Sequence, residues 1–217
     1  MIEVSRKEIE RYLGYKGTAP DARVSAEIDK VLEELNRAAA PAHIFQEFPL
    51  EIPDAEESRL SFAGLNVRSA SLFRNLAGCQ KIVMLAATIG IGADRLITRA
   101  QIRSMMRTSV FQAAGAAMIE AYVDDVNRKL RDAYAKKGLY LRPRFSPGYG
   151  DLSLALQKDI VRILNTPKTI GVSLTDGCLM VPSKSVTALI GVSAKEERCI
   201  LSGCEECNAR DTCAFRR

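Results

Sequence analysis

Lys81-Ile-Val-Met-Leu-Ala-Ala-Thr88 is an apolar run with a single charge at its entry, and Gly90-Ile-Gly92 follows it at once. A short apolar run closed by glycines reads as a buried strand. Beyond it the period changes. Between Arg103 and Lys137 there is no proline, the only glycine is Gly115, and Met105, Ala116, Ile119, Val123, Val126, Leu130 and Ala133 recur at three-four spacing. That pattern predicts one long helix with an apolar stripe. Strands lie on both sides of it without strict strand–helix alternation, which predicts an α+β fold, a mostly antiparallel twisted sheet packed with long helices, rather than a doubly wound one.

Working outward, Ser5-Arg-Lys-Glu8 has the form of a capping box and predicts a short helix to Gly14. Gly17, Pro20 and Asp21 break the chain, and Val24, Ile28, Val31, Leu32 and Leu35 stripe a second helix ending before Pro41. From Ala42 to Val67 short alternating runs suit paired strands, and Gly78 closes a helical turn before Lys81. On the other side, Leu139 to Phe145 reads as a strand. Asp151 reads as the N-cap of a helix striped by Leu152, Leu156, Ile160, Ile163 and Leu164, which Asn165-Thr-Pro167 ends. Val172 to Val181 and Ser185 to Val192 resemble a hairpin around Pro182-Ser-Lys184. Residues 1–195 are expected to form one α+β domain, followed by a polar, cysteine-rich tail over 196–217.

Composition narrows the function. With 217 residues, 47% hydrophobic and 26% charged, the chain has material for a good core, so disorder is excluded. The longest apolar stretch, Ile82 to Ile89, is far below the roughly 20 residues of a bilayer span. The charge of +5, from 31 basic and 26 acidic residues, is spread too thinly to argue for nucleic acid. No apolar run follows a basic head at the amino terminus, so a reducing cytoplasm is expected and the six cysteines read as thiols or metal ligands before disulfides.

Among sites, Gly90-Ile-Gly92 after a strand invites a dinucleotide reading. The third glycine position holds Arg95 and no second strand follows, so a structural strand-to-helix turn is the better reading. His43, the only histidine, sits in an apolar context and reads as a hydrogen-bonded core residue. Pro41 stands where a corrinoid-binding Asp-x-His-x-x-Gly motif would need its aspartate. The densest signal is Arg142-Pro-Arg-Phe-Ser-Pro-Gly-Tyr-Gly-Asp151. Its prolines hold their neighbours extended, its glycines expose backbone, and Arg144 offers a fork for a carboxylate or phosphate. Such a loop suits a small zwitterionic ligand, or serves only as a rigid connection with solvated arginines.

Arg144-Phe-Ser-Pro-Gly-Tyr149, followed by a helix and then Ser173-Leu-Thr-Asp-Gly-Cys-Leu-Met-Val-Pro182-Ser-Lys-Ser-Val186, resembles the activation domain of cobalamin-dependent methionine synthase. That family carries an Arg-Pro-Ala-Pro-Gly-Tyr loop and a later Leu-Thr-Glu-Ser-Phe-Ala-Met-Trp-Pro-Gly-Ala-Ser-Val segment. The likeness covers about Glu120 to Val192. It implies binding of S-adenosylmethionine, with Arg144 on the ligand's carboxylate, Ser146, Gly148 and Tyr149 lining the methionine and adenosine portions, and Glu120 as an acidic contact. It further implies a component of methionine synthase, a methyltransferase of methionine biosynthesis, working with cobalamin held in trans on a partner chain and a flavodoxin- or ferredoxin-type electron donor. Phe-Ser replaces the family's Pro-Ala, a family tyrosine falls near Ile190, and the chain is shorter than the family domain.

Cys199-x4-Cys204-x2-Cys207-x5-Cys213 stands outside the resemblance. Its first two spacings, over three cysteines, repeat a plant-type ferredoxin run, and four clustered thiolates equally suit zinc, so an iron–sulfur cluster or zinc is expected over unligated thiols. The sequence therefore reads as an S-adenosylmethionine-binding module that supports reductive remethylation of cobalamin on a separate methionine synthase chain. The alternative is a metal-containing reactivator or electron-transfer adaptor for another corrinoid protein.

Overall fold

The computed structural model describes residues 2–15 and 17–196. Along the chain, α1 (Arg6–Tyr12) starts after Ser5, and α2 (Ala22–Ala38) starts after Asp21, whose carboxylate accepts the Val24 amide. The Ser5 hydroxyl makes no capping bond, and Glu8 holds the Arg11 guanidinium at 2.7 Å, so the expected capping box gives way to an ion pair within the helix. Four strands follow: β1 (Ala42–Pro49), β2 (Glu51–Asp54), β3 (Arg59–Phe62) and β4 (Leu65–Arg68). Then come α3 (Ala70–Asn75), β5 (Lys81–Thr88), α4 (Ile91–Gln101) and the long α5 (Met105–Ala135). The chain continues with β6 (Tyr140–Leu141), α6 (Leu156–Ile163), α7 (Thr166–Thr169), β7 (Ser173–Leu174), β8 (Met180–Val181) and β9 (Ser185–Ser193).

The main sheet has the order β1-β5-β9-β6. At one end of β5 the Gln80 amide donates to Val192 and at the other the Ile89 amide donates to Lys184, so β5 and β9 run antiparallel. Leu50 to Gln80 and Ala40 to Ile89 set β1 against β5 in the same sense, and β6 pairs antiparallel with β9 through Tyr140–Ser193 and Leu141–Val192. As central strands, β5 and β9 are buried along nearly their whole length, which is why β5 reads as a continuous apolar run. Ile82, Val83, Met84 and Leu85 have no exposed surface, and burial of each such side chain contributes about 1.5–3 kcal/mol. The strands β2, β3 and β4 form a separate antiparallel sheet. Ala63 and Gly64, both at positive φ, make the two-residue turn between β3 and β4 that a right-twisted hairpin requires.

Backbone contacts divide the chain into two compact units. The first comprises Met1–His43, Ala87–Asn127 and Thr166–Val186; the second comprises Ile44–Ala86, Arg128–Asn165 and the chain from Thr187 on. In the first, Arg107 of α5 is clamped by Glu27 and, at 2.6 Å, by Glu34 of α2. Gly90 and Gly92 press against the end of α2: a Cβ on Gly92 would lie 2.1 Å from the Ala38 carbonyl oxygen. That close approach accounts for the Gly-x-Gly spacing. Gly115 of α5 carries the Lys184 side chain, whose Cε would be 3.1 Å from an added Cβ. In the second unit Tyr134 of α5 donates to Glu47 of β1 at 2.7 Å, and Lys81 of β5 meets the same carboxylate at 2.7 Å.

Four local expectations are revised. His43 is hydrogen-bonded, its Nδ1 lying 2.8 Å from the Tyr122 hydroxyl, but it is exposed, because it occupies an outward position of the edge strand β1. The expected hairpin between 172–181 and 185–192 does not form. Instead β7 pairs with β8 across a turn in which Thr175 Oγ1 accepts the Leu179 amide, and β9 joins the main sheet. The strand expected over Leu139 to Phe145 is cut to Tyr140–Leu141, and the helix expected from Asp151 begins only at Leu156. Both of these changes belong to the loop described next.

Candidate functional site

Arg144, Ser146, Gly148 and Tyr149 all lie in the second unit, in the connection between β6 and α6. Its first support is the strand β9. Leu141 pairs with Val192 and the Arg142 amide donates to Gly191 at 2.8 Å, but the next pairing is Phe145 with Leu189, through reciprocal bonds of 2.9 and 2.8 Å. Pro143 and Arg144 thus stand together opposite Ile190. One extra residue on this side is a β-bulge, and Pro143, which has no amide hydrogen to donate, sits where the ladder is interrupted. Bulges re-aim side chains, and this one is placed at the arginine that the sequence singles out.

Arg142 is the second support. It is buried, and its guanidinium donates to the Ala77 carbonyl at 2.7 Å. Gly191 makes room for it, since a Cβ there would lie 2.6 Å from Cys79 Sγ, 2.7 Å from Leu76 Cδ2 and 3.0 Å from Arg142 Cγ. Of the two arginines in the motif, Arg142 is spent on structure and Arg144 is half-buried.

The third support is a turn fastened to α3. The Tyr149 amide donates to Ser146, the Leu152 amide to Tyr149 and the Gly148 amide to Leu152, which folds residues 146–152 on themselves. Gly148 has φ +92 and packs against Leu154, and Gly150 has φ +55 with Ser71 Oγ only 2.6 Å from where a Cβ would be. Asp151 then accepts three hydrogen bonds, from the Ser69 hydroxyl at 2.6 Å and from the Ala70 and Ser71 amides at 2.7 and 3.0 Å. It caps α3 rather than the helix that follows it in sequence. Ser69 Oγ takes the Leu72 amide, so the first three exposed amides of α3 are satisfied by these two side chains. Burial works against the charged form of Asp151, but the donors at Ser69, Ser71 and Ala70 outweigh it and hold the carboxyl well below the usual carboxylate range.

Tyr149 is exposed, and Ile190, where the family has a tyrosine, is fully buried and offers only apolar surface. Near the loop, Gln157 of α6 is buried with its Oε1 lacking a hydrogen-bond partner among the described residues. Glu120 lies in the first unit, half-buried on α5. Two clefts of the first unit, about 390 Å³ lined by Arg23, Glu27 and Arg107 and about 440 Å³ lined by Tyr12, Thr108 and Gln112, include none of the loop residues. Cys199, Cys204, Cys207 and Cys213 lie outside the described residues, among which no group of three or more metal-ligating side chains is assembled. No helix among the described residues is long and apolar enough to cross a membrane.

Sequence reasoning located the loop through its arginine, prolines and glycines but missed its supports. Gly191 inside a buried strand was the available signal for a close approach, and Ser69 ahead of an apolar turn was the signal for a cap. The sequence matches no protein-family model and no curated protein. Among solved structures it is similar to the crystal structure of the MetH reactivation domain bound to AdoHcy, with a TM-score of 0.66 over 90% of this chain and 75% of that one, at 14% sequence identity. With its helices and antiparallel sheet, the chain has the fold of the MetH reactivation domain.

Proposed function

We propose that the chain binds S-adenosylmethionine on the Arg144–Tyr149 loop and supports reductive remethylation of a cobalamin held by a separate methionine synthase chain. One observation carries the reading: the segment that resembles the family's ligand loop is the segment held by the bulge, by Arg142 and by Asp151, in a chain sharing the fold of a domain crystallised with AdoHcy. S-adenosylmethionine supplies an already activated methyl group when bound, so these residues need no nucleophile or general base. Their work is positioning. Arg144 pairs with the ligand's carboxylate, while Ser146, Gly148 and Tyr149 contact its methionine and adenosine portions. The resemblance assigns Glu120 to the same ligand. An electron donor of the flavodoxin or ferredoxin type completes the reaction.

Calorimetry with S-adenosylmethionine tests the reading. The wild-type chain should bind it, and Arg144→Ala should lose on the order of 1.5–3 kcal/mol, the usual worth of a hydrogen bond to a charged group. Equal affinities would remove Arg144 from the site, and Glu120→Gln decides the acidic contact separately. No binding to the wild type, with redox-active iron in the tail, would move the reading to a metal-containing adaptor for another corrinoid protein.

A further inference from the structure

Gln157 is only 6% exposed on α6, and its Oε1 has no hydrogen-bond partner among the described residues. The other buried residues of that helix, Leu156 and Ile160, carry no side-chain donor. An acceptor left dry in this way costs the fold free energy, and folded proteins complete nearly all such groups. The position of Gln157 is tied to the motif loop. The Leu156, Gln157 and Lys158 amides donate to the Ser153, Leu154 and Ala155 carbonyls at 3.2, 3.1 and 3.0 Å, so three successive i→i+3 bonds tighten the entry to α6. In that geometry side chains three residues apart lie over one another, which sets Leu154 and Gln157 in one row. The row starts on the motif, since Leu154 Cδ1 is 3.3 Å from where a Cβ on Gly148 would be. Leu154 is 43% exposed, so the row runs from the surface of the loop inward to the open carbonyl of Gln157.

S-adenosylmethionine carries nitrogen donors at its two ends, the α-ammonium and the exocyclic amine of adenine. The ammonium stands beside the carboxylate assigned to Arg144, and a buried cation demands a carboxylate or several acceptors, which one amide among leucine and isoleucine does not supply. Adenine is neutral and flat, and its edge sets the amine donor next to a ring-nitrogen acceptor. A carboxamide holds an acceptor and a donor in one plane and matches that edge.

We propose that Gln157 reads the base of the ligand: its Oε1 accepts from the exocyclic amine of adenine while its Nε2 donates to the adjacent ring nitrogen. The assignment rests on the proposed function and adds to it the residue that selects the nucleobase. Two probes are titrated into the full chain by calorimetry, S-adenosylmethionine and its analogue with hydrogen in place of the adenine amino group. Wild type should bind the analogue about tenfold or more weakly, because the carbonyl then stays unpaired. Gln157→Met keeps the length of the side chain and removes the amide. It should bind S-adenosylmethionine about tenfold or more weakly than wild type and should bind the two probes within about threefold of each other. Without ligand its urea midpoint should equal or exceed that of wild type, since a buried acceptor with no partner is gone; a purely structural glutamine would lower it. The assignment is overturned if Gln157→Met binds S-adenosylmethionine as tightly as wild type, if it keeps the wild-type discrimination between the probes, or if wild type binds both probes equally. Binding of neither probe to the wild-type chain is a different result, and it overturns the functional reading together with this assignment.

Discussion

Asp151 has three donors around one carboxylate, and its charge is what they are arranged for. Because its folded pKa is depressed, the stability it contributes is present above the ordinary carboxylate value of about 4 and is lost as pH falls below that toward the folded value. Asp151→Ala should cost about 0.5–2 kcal/mol at neutral pH, the usual worth of a cap, and should flatten the acid side of the stability–pH curve measured by urea unfolding. It should also weaken S-adenosylmethionine, since the loop loses its anchor on α3; unchanged affinity would make the clamp purely structural. Gly191→Ala makes a complementary test. Its methyl would have to displace Cys79, Leu76 and Arg142, and overpacking of this kind costs about 1–3 kcal/mol. The unfolding midpoint should drop accordingly.

At the scale of elements, the junction of α2 and α4 depends on backbone approach rather than side-chain packing. Gly92→Ala would drive a methyl into the Ala38 carbonyl, a backbone atom that cannot rotate away, so a loss of about 1–3 kcal/mol is expected from chemical denaturation. Stability unchanged by this substitution would remove the structural account of Gly90-Ile-Gly92. The bulge is a second element-level device. Periodicity alone predicts a continuous strand over Leu139 to Phe145, since each residue there is compatible with extended backbone. Only the pairing with β9 shows that Phe145 meets Leu189 one residue out of register with Leu141 and Val192. Asp151 fails the sequence rule for the same reason: a carboxylate ahead of an apolar stripe is a good cap, but sequence does not say for which helix.

For the whole molecule, ligand binding and stability are linked. If S-adenosylmethionine binds only the folded chain, ligand at about 100 times its Kd should stabilise it by about 2.7 kcal/mol, read as a rise in Tm. No shift at saturation would contradict binding to the native state. The four tail cysteines call for a separate measurement on the full chain. Anaerobically purified protein should contain iron and sulfide with broad absorbance near about 400 nm, or zinc without colour. Neither metal, with four freely titrating thiols in the tail, would reject a metal centre there.

What the sequence determined by itself are the features set by short-range physics. The period-3.6 stripe of α5, the apolar run of β5, the alternating runs of the paired strands between Ala42 and Val67 and the proline- and glycine-rich loop around Arg144 all follow from residues close together in the chain. The resemblance in that loop and in the 173–186 segment pointed to the fold that the structure has. Tertiary structure alone decided the partners: β9 beside β5 and β6 rather than in a hairpin of its own, Asp151 on α3, Arg142 inward through Gly191, and His43 on an outward edge position. Those choices join residues tens of positions apart. Each was settled by which buried polar groups and backbone surfaces could satisfy one another once the chain had packed, and no local pattern encodes that.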